Sequence, residues 1–264
     1  MEFKKFYQSL KFYFCFLSGL LVSLTLIISY LYGLINISEI RSSNGLTQIW
    51  KLDSRINGLI IFDREGYTIN FLFYFTTQIN ILISCALFYL AFYQNEFNNK
   101  FYLTRKVYTG ICVYAFLMLF IFWTFLIPDK IKLSAWEIVK QIVIHLIGPV
   151  CLIFATLYWF KSYEFVRHKI FFKKDLWKIY IYPIIYLILT LIRGEFRYLA
   201  NKPLQTQYPY FFLHIHSKRP IKEIELAGWE WLLIIVTIII ILLPIFSHLL
   251  NFLLNKINHK SKVK

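Results

Sequence analysis

A polar side chain inside an apolar run is costly in lipid, so the few that occur are where chemistry is sought first. The run that opens Phe71-Leu-Phe-Tyr-Phe carries Thr76, Thr77, Gln78 and Asn80 within five residues. Thr76 and Asn80 are four apart and Thr77 and Asn80 three apart, which sets them on one side of a helix. A later apolar run carries Gln141, His145 and Pro149, spaced by four into one stripe, with Gly148 beside the proline. A threonine hydroxyl attacks poorly unless a base takes its proton, and a neutral imidazole can accept it. Thr76 is therefore the candidate nucleophile and His145 the candidate base. Asn80 can donate to a developing oxyanion, and Thr77 is a binding candidate at the same helix end. The same residues can equally join helices by hydrogen bonds without any chemistry. The residues alone leave both readings open.

Two further segments lie at the edge of apolar runs. The sequence Leu189-Thr190-Leu-Ile-Arg193-Gly194-Glu195 offers an arginine that can pair with Glu195, meet headgroups, or orient a lipid phosphate or carboxylate. The segment Tyr208-Pro209-Tyr210-Phe-Phe-Leu-His214-Ile-His216 is aromatic and proline-marked, as suits an interfacial turn or a cap over a site. Its His-x-His spacing supplies two metal ligands without a third, so no metal is expected. No cofactor is expected either.

The elements that must position these residues follow from composition. The 264 residues are 58% hydrophobic and only 16% charged, against about 25% charged in soluble domains. Six apolar runs read as spans, five of them long enough to cross a hydrocarbon core of roughly 30 Å comfortably. They are Phe12–Ile35, Phe71–Tyr93, Val107–Ile127, Ile138–Phe160, Leu176–Ile192 and Trp229–Leu254. The expected fold is an all-α polytopic membrane bundle of about six helices in one domain, residues 1–264. The fifth run is short, contains Pro183, and is expected to gain a turn from the Lys178 or Arg193 side. The first follows Lys4, Lys5 and Lys11 as a signal peptide would, but its length and lack of a small-residue cleavage site mark it as a retained helix. Cys15, Cys85, Cys112 and Cys151 all fall inside these runs and read as small buried apolar residues.

A net charge of +15 suggests nucleic acid, yet the basic residues sit in short connections beside the runs, where they anchor helices at headgroups. Nucleic acid is accordingly not an expected partner; membrane lipids are. The N-tail, residues 94–106, residues 161–175 and the C-tail hold 15 Lys and Arg in 49 residues, the alternate connections 12 in 81. That bias puts both termini in the cytoplasm of a cell-membrane protein. In that orientation Thr76, six residues past Asn70, lies about 9 Å in from the outer end of its run. His145, eight past Glu137, lies about 12 Å in. The two can share a level if their helices are neighbours. The Asn-, Lys-, Ile- and Phe-rich composition fits an AT-rich bacterial genome.

Tyr74-Phe-Thr76-Thr-Gln-Ile-Asn80, His145-Leu-Ile-Gly-Pro149, Tyr182-Pro183-Ile-Ile-Tyr186, Arg193-Gly194 and Tyr208-Pro209-Tyr210 occur in this order. The set resembles six-helix bacterial membrane proteins, mollicute versions included, which are similar in turn to the androgen-induced and androgen-dependent eukaryotic membrane proteins. The resemblance covers roughly residues 67–215, and its specificity lies in the order of the motifs. It implies a six-helix fold and, from the eukaryotic side, hydrolysis of fatty acid esters of hydroxy fatty acids by an intramembrane threonine and histidine. Thr76 matches that threonine better than Thr77, and His145 before Pro149 matches the histidine. The alternative is a non-enzymatic membrane protein, an assembly partner or a transporter. Lys140 and Lys178 lie near span ends where they can snorkel, and there is no pair of broken helices in two halves, which disfavours a transporter.

Overall fold

In the computed structural model, the described residues are 9–42, 45, 47–56, 59–93, 104–126, 134–159, 166–221 and 224–262. The basic residues Lys4, Lys5, Lys100 and Lys161, and the span ends Ile127 and Phe160, lie outside them. Among the described residues, six helical stretches are long and apolar enough to cross a membrane: Leu10–Ile35, Phe75–Phe92, Arg105–Leu126, Ala135–Tyr158, His168–Leu199 and Gly228–Ile257. The chain is a polytopic α-helical membrane protein. Large apolar side chains such as Leu17, Ile28, Ile184, Ile188 and Ile241 are exposed on these helices, as lipid-facing surface requires.

Contacts divide the chain into two compact units, one of Met1–Leu26, Gln78–Ile181 and Ile241–Lys264, the other of Ile27–Thr77 and Tyr182–Ile240. The first unit is helical. It draws on α1 (Leu10–Ile35), α3 (Phe75–Phe92), α4 (Arg105–Ile121), α5 (Ala135–Ile142), α6 (Gly148–Phe154), α7 (His168–Lys174), α8 (Leu176–Leu199) and α10 (Gly228–Lys262). Its core includes Cys15, Val22, Ile83, Leu87, Cys112, Leu117, Met118 and Leu152, all essentially inaccessible. Cys85, expected to be buried, is exposed: it sits on the outer face of its helix, where lipid is as good a surrounding for a thiol as protein is.

Helix limits follow local chemistry. Ser134 and Glu137 form a capping box, the Ser134 hydroxyl accepting from the Glu137 amide at 3.3 Å and the Glu137 carboxylate accepting from the Ser134 amide at 2.8 Å. That starts α5 three residues before the expected Ile138. Within the fourth span, π turns over Val143–Ile147 and Ala155–Trp159 flank α6.

The second unit holds more regular structure than a loop at residues 36–70 would suggest. β1 (Lys51–Ile56) and β2 (Leu59–Phe62) pair antiparallel, with Ile56 opposite Leu59 and Lys51 opposite Phe62. Ile37, Ile49 and Trp50 form a small core with Ile40, Phe62 and Tyr67. Asp63 then caps α2 (Arg64–Phe73), its carboxylate accepting from the Gly66 amide at 2.8 Å. At Tyr74 the backbone is extended, ψ 126, and the helix starts again at Phe75. The single span expected over Phe71–Tyr93 is thus two helices.

The fifth span is not short. α8 is 24 residues long and continues past Ile192 through Arg193 and Glu195. Hydropathy ends a span at its first charges, but these charges have partners in the second unit. Arg197 meets Asp63 at 3.4 Å, the Thr206 hydroxyl at 3.0 Å and the Trp50 ring at 5.3 Å. The helix closes with Asn201 at φ 52. The Asn201 amide returns to the Tyr198 carbonyl and the Lys202 amide to that of Arg197, a Schellman closure. α9 (Leu204–Gln207) and a 3-10 turn at Phe211–Leu213 follow.

Candidate functional site

Thr76, Thr77 and Arg193 belong to the second unit and Asn80 and His145 to the first. In the second unit the break at Tyr74 makes Thr76 the second residue of a new helix. The first amides of a helix have no partner within it, and that of Thr76 donates to the Tyr210 hydroxyl at 3.2 Å. The Tyr210 ring meets Tyr74 edge-on at 5.4 Å and stacks on Phe212 at 5.0 Å. Burial pushes the Tyr210 phenol above its ordinary range, an effect the Thr76 amide and side chain partly offset. Tyr210 is therefore a neutral hydroxyl held against the first turn of α3. On the other side of the break, the Tyr186 hydroxyl donates to the Phe73 carbonyl at 2.9 Å, one of those that α2 leaves without a helical donor. Phe75 packs against Tyr182 and Tyr186 at 5.9 and 5.2 Å.

Arg193 supports the same region. Its guanidinium donates to Asn70 Oδ1 at 2.9 Å and to the Gln207 carbonyl at 3.2 Å, and lies 5.2 Å from the centre of the Phe73 ring. It is a strut between α2, α8 and the end of α9, rather than the partner of Glu195. Glu195 is bonded to His216 Nε2 at 2.7 Å. Gly194 has a steric reason: a Cβ there would run into the Tyr208 ring. The motifs around Thr76, Tyr182-Pro183, Arg193-Gly194 and Tyr208-Pro209-Tyr210 thus meet in one unit. His214 is buried, with Nε2 at 3.3 Å from the Tyr208 carbonyl. His216 instead stacks on Tyr198 at 3.8 Å. The two rings have separate partners, and among the described residues no three His, Cys, Asp or Glu cluster as a metal set.

In the first unit His145 is 3% exposed and sits in the π turn Val143–Ile147. Pro149 accounts for that turn. It has no amide for the His145 carbonyl and its ring crowds the preceding turn, so the helix widens and Gly148 donates to Val143 instead. The released His145 carbonyl accepts from the Trp123 indole at 3.3 Å. A wider turn carries more residues per turn, so the stripe expected for Gln141, His145 and Pro149 does not hold its register. The imidazole stacks on Phe122 with centroids 3.5 Å apart and planes 4° from parallel. Its Nδ1 is buried without a hydrogen-bond partner.

Asn80 is fully buried in the same unit, its amide donating to Met118 Sδ at 3.3 Å. A Cβ on Gly148 would lie 2.8 Å from Val22 and 3.4 Å from Asn80 Oδ1, so that glycine brings Asn80 up to the segment carrying His145. The sequence reading missed Phe122, Met118 and Asn70, which carry no chemical signal of their own. It also missed a network around Arg105, whose guanidinium donates to Asn251 Oδ1 at 2.7 Å and Asn255 Oδ1 at 3.0 Å. The signal for that was present, as two asparagines four apart, Asn251 in the last apolar run and Asn255 just past its end. Comparison with protein-family models, curated proteins and solved structures finds no match to this chain.

Proposed function

We propose that this multi-pass protein is an intramembrane hydrolase of lipid esters, with Thr76 as nucleophile, His145 as base, and both termini in the cytoplasm of a cell membrane. The observation that carries the reading is the break at Tyr74. It sets the Thr76 hydroxyl in the first turn of a helix that starts inside an apolar segment. The partial positive charge of a helix N-terminus favours negative charge developing there. The neutral phenol of Tyr210, fixed on the Thr76 amide, can polarise an ester carbonyl or hold the threonine. The unpartnered His145 Nδ1 suits a ring that exchanges protons, and Asn80 and Thr77 suit binding of the ester.

The chemistry requires the imidazole to reach the Thr76 hydroxyl directly or through one water. Thr76 Oγ attacks the ester carbonyl while His145 takes its proton; the alcohol leaves with that proton, and water then frees the fatty acid from the threonine. A fluorophosphonate probe applied to the protein in membranes should label Thr76, and labelling should be lost in Thr76→Ala and His145→Ala. Labelling that persists in both variants overturns the reading.

A second reading, a non-enzymatic membrane protein, is favoured by how many polar side chains serve backbone groups that helices leave open. Tyr186 on Phe73 and Trp123 on His145 are examples. On that reading both variants melt earlier in detergent and no labelling exists to lose.

A further inference from the structure

An apolar groove of about 600 Å³ lies along α10, walled by Phe172 of α7 and by Pro244, Ile245, His248, Leu249 and Phe252. Ile245, Leu249 and Phe252 are 52, 41 and 46% exposed, so its floor is surface offered to lipid. One end is polar. The His168 and His248 rings lie 4.4 Å apart, and the Lys256 ammonium is 5.9 Å from the centre of the Phe252 ring.

The hydrogen bonds settle how His168 presents itself. Asn251 accepts from Arg105 at Oδ1, and its amide donates to the Val166 carbonyl at 3.2 Å and to His168 Nδ1 at 3.2 Å. With Nδ1 accepting, the neutral ring carries its hydrogen on Nε2, a donor independent of the Asn251 network. The buried Arg105 cation stands behind it. Among the described residues no carboxylate lines the groove, and nearby Asp175 is held by Lys106 at 3.2 Å and Lys178 at 3.4 Å. Lys169, Lys173 and Lys174 are exposed on α7.

An apolar trough ending in a lysine ammonium and two imidazoles, beside a short basic and aromatic helix, fits an amphiphile with a negative head. We propose that this groove binds an anionic phospholipid. Its glycerol phosphate head lies between Lys256 and the His168–His248 pair, and its acyl chain lies over Leu249 and Ile245 toward Pro244. His248 and Lys256 are eight residues apart, about 12 Å of helix rise, enough for a glycerol phosphate to lie between them. The assignment is independent of any hydrolase activity.

The test is native mass spectrometry of the full chain released from micelles supplied with phosphatidylglycerol or phosphatidylcholine. One phosphatidylglycerol should be retained in preference to phosphatidylcholine. Lys256→Gln, at an exposed position, should lower its retention by about five-fold. Leu249→Trp, which fills the trough from an exposed position, should lower it as well. Millimolar inorganic phosphate should not displace the lipid, because the chain supplies part of the binding. Equal retention of the two lipids, retention unchanged in both variants, or displacement by phosphate overturns the proposal.

Discussion

At the scale of single residues, two of the polar groups singled out from sequence already have partners within the protein, while His145 Nδ1 has none. Arg193, read from sequence as a headgroup or substrate ligand, spends its donors on Asn70 and the Gln207 carbonyl. His214, one of a His-x-His pair without a third metal ligand, is buried against Tyr208. Its burial has a measurable consequence. Desolvation holds the imidazole below its ordinary 6.5, while the Tyr208 carbonyl works the other way. Below 6.5 the unfolded chain therefore binds a proton that the folded chain refuses, so stability rises with pH there and is lost as pH falls. The melting temperature in detergent should drop between about pH 7.5 and about pH 5.5, and His214→Gln should flatten that slope. A slope identical in the variant would mean that other groups carry it. His145, Thr76 and Asn80 were legible as candidates because each is a polar type in an apolar run. What each one touches was not legible, because partners such as Phe122, Tyr210 and Met118 are ordinary core residues in sequence.

At the scale of elements, three departures from ideal helices bear on the candidate site: the break at Tyr74, the π turn at Val143–Ile147 and the long α8. Each has a local cause joined to a distant partner. Pro149 opens the helix, but the indole of Trp123 makes the opening tolerable by taking the His145 carbonyl. Likewise Pro183 deprives the Ile179 carbonyl of its helical donor, and the Tyr114 hydroxyl donates to it at 2.9 Å. This predicts a coupling. Trp123→Phe should destabilise the protein by about 1 kcal/mol, the usual worth of such a bond. In a Pro149→Ala background, where residue 149 regains an amide, the same change should cost distinctly less. Thermal melting of the two single variants and the double variant closes the cycle, and additive losses would separate the proline from the indole. Apolar spacing found all six spans. It placed the C-terminal end of the fifth too early because Arg193 and Arg197 read as polar, whereas their partnered guanidinium groups extend the helix.

At the scale of the whole molecule, the chain is a six-span membrane protein, and its orientation is a separate question decided by charges in the connections. With both termini cytoplasmic, a cysteine introduced at the exposed Thr47 in a cysteine-free background should react with an impermeant maleimide on intact cells. One at Lys264 should react only after lysis. The opposite pattern reverses the assignment. Composition and run length by themselves determined that the protein is all-α, polytopic and built of six spans, because a hydrocarbon surround imposes length and apolarity on every crossing segment. The order of Thr76, His145, Tyr186, Arg193 and Tyr210 marked out the residues to watch. Only the tertiary structure decided that α3 begins anew at Phe75, that Tyr210 sits on the Thr76 amide, and that His145 lies in a widened turn against Phe122. Those outcomes depend on which distant side chain arrives to satisfy a backbone group or fill a gap, and spacing along the chain carries no record of that arrival.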